Sequence, residues 1–225
     1  MGMTTVLLGD YFLEILTVGK IMKKRHSLFL IVLVLLLDPH VHGQSSEPAI
    51  YNDTDAYDVY SAVLSLPENS TRPKQKIYII RQDTLRVFGA YTDSEPSSGI
   101  CLRPDDEFKP IVGPAIEDYL RENKTKWRLG KRFDLDVPYE LVSSETVIEL
   151  IKKNGWEGFY KVYPDSRGFT DLSAVGFNTD KTIAVVSKGG WCGELCGEGR
   201  YYVMQKKQGK WIPLDWRGDW CSWVS

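Results

Sequence analysis

The chain has 225 residues, 43% hydrophobic and 12% aromatic, with 28 Lys plus Arg against 30 Asp plus Glu. That composition supports a packed core and excludes a disordered or collagen-like polymer. The net charge of −2 supplies no positive field to collect phosphates, which argues against a dedicated nucleic-acid binder.

Lys23, Lys24 and Arg25 precede an unbroken apolar run from Leu28 to Leu37, followed by Asp38-Pro39 and Val41-His42-Gly43. A charged segment, an apolar segment and small residues before a cut predict a secretory signal peptide over 22–43, cleaved after Gly43. Ten apolar residues rise only about 15 Å as a helix, half the hydrocarbon thickness, so no stable membrane span is expected after leader removal. Residues 1–21 contribute nothing to that pattern and read as a start codon placed too early. Export of 44–225, to the periplasm or beyond the cell, also removes His26, His40 and His42, all the histidines of the chain. A mature protein without imidazole excludes Ser-His-Asp and Cys-His catalysis and His-ligated metals, and no cofactor is expected.

From Asp55, the placing of Tyr57, Tyr60, Ser61 and Leu64 on one face predicts a helix that Pro67 stops. Asp53, Asp55 and Asp58 lack the glycine and glutamate of a calcium loop and suit helix initiation instead. Lys76 to Arg81 is β-branched and aromatic, an inner strand. Residues 89–114 are rich in Pro, Ser, Asp and Gly and read as a long loop carrying Cys101. A second helix is expected from Pro114 to Asn123, a strand over Leu135 to Val142, and a third helix from Ser144, as N-cap, to Asn154, with Gly155 beyond it. Trp156, Phe159, Tyr160 and Tyr163 follow at helical spacing. Four rings on one face are expected to pack on a sheet, a sugar-stacking platform being the alternative.

The remainder reads as an antiparallel meander: Phe169 to Phe177, Thr182 to Ser187, Arg200 to Gln205 and Lys210 to Leu214, with turns at Asn178–Lys181 and Gln208-Gly209. The glycines between 189 and 199 lack a phosphate-loop pattern and precede a strand. The predicted fold is therefore α+β, a single domain over 44–225 with N-terminal helices and a strand packed on the meander. Asn52, Asn69 and Asn123 head N-x-[ST] triplets, which matter only in a glycosylating host.

Cys101, Cys192, Cys196 and Cys221 are an even set in an exported chain, so disulfides are expected and three pairings are possible. Cys192 with Cys196 and Cys101 with Cys221 are favoured, worth about 2 and 5 kcal/mol in the chain-entropy description. A four-thiolate zinc site would need Cys101 and Cys221 to be paired in sequence, as they are not. Trp191, Trp216, Trp220 and Trp223, with Arg217 among them, form the candidate ligand-binding surface, since indoles stack on sugars and anchor protein partners. The same rings would also serve to cover the open end of the meander.

Trp156-Glu-Gly-Phe-Tyr160, Tyr163-Pro-Asp-Ser-Arg-Gly168, Leu172-Ser-Ala-Val-Gly-Phe-Asn178, Cys192-Gly-Glu-Leu-Cys-Gly197 and Lys206 to Trp211 form a series that resembles a group of uncharacterised exported bacterial proteins. The resemblance covers roughly 156–211. It implies an envelope or secreted protein and a structural Cys192–Cys196 pair, and implies no activity. The leading expectation is a non-catalytic binding or interaction module with a glycan or protein ligand. The alternative is a carboxylate-based hydrolase of glycans, for which two facing carboxyls in a cleft are required.

Overall fold

A computed structural model describes residues 47–67, 75–85, 106–215 and 222–224. By contact the chain divides into Met1–Ser46 and Glu47–Ser225, and the fold below is that of the second unit. Helix α1 (Thr54–Leu64) starts at Asp53, whose Oδ1 accepts the Ala56 N–H, and Asp55 stands in its first turn, so these two serve helix initiation as expected while Asp58 lies beyond the first turn. Its buried face presents Tyr57 and Tyr60, whose hydroxyls donate to the carbonyls of Tyr51 (2.9 Å) and Ser173 (2.7 Å). Burial pushes the Tyr60 phenol well above its ordinary value.

Strand β1 (Tyr78–Arg81) is indeed internal. It runs parallel to β2 (Tyr139–Val142) on one side and to β3 (Phe169–Leu172) on the other. Beyond β3 the sheet turns antiparallel through β5 (Ile183–Gly193), β6 (Cys196–Lys207) and β7 (Lys210–Pro213). The two-residue β4 (Gly176–Phe177) pairs with β5, and β8 (Ser222–Val224) with β6. The α+β class therefore holds, with one refinement: the early strand is built into the sheet, which is mixed, instead of resting on a separate meander.

Alternation along the strands sorts the core. Ile80, Leu172, Ala184, Val186 and Met204 pack with α1 on one face. On the other face Ile183, Val185, Tyr201 and Val203 meet α2 (Lys109–Glu122), while Ile79 and Phe169 meet α3 (Ser144–Val162). Helix α2 begins five residues earlier than expected because Pro110, not Pro114, occupies its first turn, where a missing N–H costs nothing. Helix α3 combines the two expected helices, which meet at Gly155 in a backbone conformation (φ 61°, ψ −165°) that side chains resist. Its N-cap is Ser143, one residue before the expected Ser144, and accepts the Thr146 N–H at 3.1 Å. Ser144 instead donates to Asp83.

The expected strand Phe169 to Phe177 is interrupted at Ser173 to Val175, and side chains take over part of its ladder. Tyr60 donates to the Ser173 carbonyl, the Tyr51 hydroxyl binds both backbone groups of Val175, and Asn123 binds both of Ala174. Asn123 is 2% exposed and so is closed to glycosylation in the folded chain. Among the described residues no helix is long and apolar enough to cross a membrane. Both expected tight turns form, with left-handed backbone at Lys181, Gln208 and Gly209.

Candidate functional site

Of the predicted ligand surface, Trp191 sits on the β5–β6 hairpin and the backbone at Trp223 lies on β8. Trp191 lies near the end of β5, opposite Phe169 on β3 and Gly197 on β6. Its ring is half-buried. It stacks on Phe169 (centroids 6.4 Å apart, planes 23°), which stacks in turn on Trp156 of α3 (5.8 Å, 5°). Phe159, fully buried, and Tyr160 complete the cluster, so the four-ring face of α3 packs on the sheet as expected.

The Trp191 Nε1–H donates to Asp171 Oδ2 at 2.7 Å. Asp171 is wholly buried and also receives both arms of the Arg81 guanidinium, Nη2 at 2.7 Å from Oδ2 and Nε at Oδ1. Burial pushes the Asp171 carboxyl up, and Arg81 and Trp191 pull it back down. The pair thus anchors Trp191 and links β1, β3 and β5. This geometry commits Asp171 to positioning Trp191 and not to acid–base chemistry. Arg81 also lies over the Phe169 ring, 5.4 Å from its centroid.

Immediately beyond Trp191 the ladder is irregular, and Cys192 and Cys196 are joined by a disulfide across the turn, Cα atoms 5.1 Å apart. The Tyr160 hydroxyl donates to the Cys192 carbonyl at 3.0 Å, fastening the hairpin to α3. Gly168 closes the arrangement from below: with φ 95°, a Cβ there would lie 1.8 Å from the Trp191 carbonyl oxygen, so only glycine fits. Within the closed ring Leu195 is 90% exposed, and Glu194 beside it is exposed too. Leu195 stands in the Cys192 to Gly197 motif of the sequence but not among its candidate site residues, because an apolar residue in a short loop carries no periodic signal.

Strand β8 lies on the opposite edge of β6 from β5, placing Trp223 in register with Gly199. The structure thus brings the backbone at Trp223 within two positions of Gly197, the partner of Trp191. Trp216, Arg217, Trp220, Cys101 and Cys221 lie outside the described residues. Trp211 is buried against Phe177.

Other carboxylates that a glycan hydrolase could draw on have structural partners. Asp165 pairs with Lys76, Glu157 with Lys161, and Glu145 takes backbone and Ser143 hydrogen bonds at the α3 N-terminus that hold its carboxyl low. Among the described residues no group of His, Cys, Asp or Glu is arranged to hold a metal ion. Comparison of the chain with protein-family models, with curated proteins and with solved structures finds no match.

Proposed function

We infer that this chain is an exported bacterial binding module that takes a protein partner through the disulfide-closed tip of the β5–β6 hairpin. The observation that carries the reading is Leu195, 90% exposed on a five-residue ring closed by Cys192–Cys196. An apolar side chain held in water on a constrained loop loses little entropy when a partner covers it, the condition for a contact anchor. Tyr160 and the Trp156–Phe169–Trp191 stack stiffen the base of that loop. A sugar-binding role for Trp191 is less well supported, since one face of its ring is against Phe169 and its N–H is bound to Asp171.

The test probes peptide and glycan arrays with the full-length, oxidised protein. Binding to peptides that is lost in Leu195→Asp, with the melting temperature unchanged, is the expected result. A screen in which no peptide loses binding in Leu195→Asp would refute the reading, and release of reducing sugar from a glycan would put the hydrolase in its place. Export is checked on its own by intact mass of the envelope fraction. A mature N-terminus at Gln44 is expected.

A further inference from the structure

A concavity lies between α2 and the β4–β5 turn. It consists of two adjoining hollows of about 770 and about 340 Å³ that share Pro114, Asn178 and Thr179. The smaller has Pro110, Ile111 and Ile183 on one side and the polar Thr179, Asp180 and Thr182 on the other, and Ile111 is 45% exposed. The larger is lined by the carboxylates of Asp53, Glu117, Asp118 and Glu122 against the cations of Arg121 and Lys181, an excess of two negative charges.

Its walls are fixed by the fold. Gly176 lets α2 lie directly against β4, since a Cβ there would come within 2.1 Å of the Tyr119 nitrogen. Asp118 Oδ2 accepts the Phe177 N–H at 2.8 Å, and Asn178 Oδ1 closes the turn by accepting from Thr182 and Ile183. Lys181 is held by Asp53 and Asp55, and Arg121 by Asp118 and Glu122. Glu117, exposed on the same wall, takes no part in these pairs. Trp127 is pinned by its Nε1–H to the Glu122 carbonyl (3.2 Å) and rests on Tyr51.

The geometry points to a binding groove for an extended peptide segment bearing a Lys or Arg side chain beside an apolar one. The cation meets Glu117 and the Trp127 ring in the larger hollow, where carboxylate and indole both favour it. The apolar side chain enters between Pro110, Ile111 and Ile183. Volumes of this size suit a short segment, and rigid walls reduce the ordering cost of binding. The groove is separate from the hairpin tip and does not depend on that reading.

The experiment titrates full-length, oxidised protein with acetyl-Leu-Lys-Leu-Lys-amide at low salt, and with acetyl-Leu-Glu-Leu-Glu-amide as the charge-reversed control. The basic peptide is expected to bind and the acidic one not. Glu117→Lys, on an exposed position that leaves the fold intact, weakens binding about fivefold. Ile111→Glu weakens it through the smaller hollow, and added salt weakens it in the wild type. Leu195→Asp leaves it unchanged. Equal binding of the two peptides, no binding of the basic one, or an unaltered affinity in Glu117→Lys overturns the proposal. Loss of binding in Leu195→Asp does so too, by placing the peptide at the hairpin.

Discussion

Replacing Arg81 by Met removes the cation from a carboxylate that has no access to water. The Arg81 side chain is 17% exposed and that of Asp171 is at 0%. Breaking such a pair from one side costs about 3–5 kcal/mol, because the remaining charge is left in a poorly polarizable interior. The Trp191 hydrogen bond at 2.7 Å survives the change, so the lower part of that range is expected. For a domain of this size each kcal/mol lowers the melting temperature by roughly 2–4 °C, giving a fall of about 6–15 °C. The pH dependence supplies a sharper criterion. Burial already raises the Asp171 carboxyl, and losing Arg81 removes the largest opposing influence, so it rises further. Between the ordinary carboxylate pKa and that raised value, the native variant binds a proton that the unfolded chain has released. Its stability therefore falls as pH rises through this window, and the penalty is largest at neutral pH. Urea unfolding followed by Trp fluorescence, at neutral pH and near pH 4.5, measures both quantities. A penalty under about 1 kcal/mol, or one equal at the two pH values, would refute the assignment of Arg81 as the counter-ion that makes Asp171 tolerable.

Gly168→Ala is expected to destabilise by about 2 kcal/mol or more, since its Cβ meets backbone and its φ is left-handed. Gly155→Ala, in open space, is expected to cost only the backbone strain of about 1–3 kcal/mol, and thermal melts compare the two. Asp55→Asn tests the link between α1 and the β6 end. The hydrogen bond from Lys206, and after it that from Lys181, hold the Asp55 carboxyl below its ordinary value. Its contribution, about 0.5–1 kcal/mol after allowance for solvent, is thus present above the unfolded-state pKa and vanishes as pH falls through the lower folded value. Wild type and variant should therefore converge in acid when unfolding is measured across the range. Cys192→Ser with Cys196→Ser is expected to cost about 2 kcal/mol, as for a very short closed loop, measured by urea unfolding.

Local chemistry made much of this fold legible. Asp53 and the α1 stripe, the Gly155 break, the aromatic face of α3 and the two tight turns all follow from capping, glycine and periodicity over a few residues. The α2 start was displaced because two prolines one turn apart each satisfy a first-turn signal, and only packing of Val112 into the core distinguishes them. The parallel pairing of β1 was not legible, since strand direction is set by partners about sixty and ninety residues away. The gap between β3 and β4 was hidden for the same reason: Tyr51, Tyr60 and Asn123 supply hydrogen bonds from distant elements. At the candidate site Trp191 and the cysteines stood out by residue type. Leu195 and Glu117 did not, because what distinguishes them is exposure, and exposure belongs to the assembled surface.

The two proposed surfaces occupy opposite ends of a single strand. Ile183, the first residue of β5, lines the smaller hollow, and Gly193, the last, leads into the disulfide ring. Eleven residues of strand span roughly 33 Å, and β5 is central in the sheet, so the spacing is set by the backbone ladder and not by side-chain motion. Sites that far apart with no shared partner are energetically independent. It follows that Leu195→Asp and Glu117→Lys should each abolish or weaken one ligand and leave the other untouched, and that the double variant should lose both by the same factors as the single ones. A coupled loss would mean that both peptides use one surface, and at least one of the two assignments would then have to be abandoned.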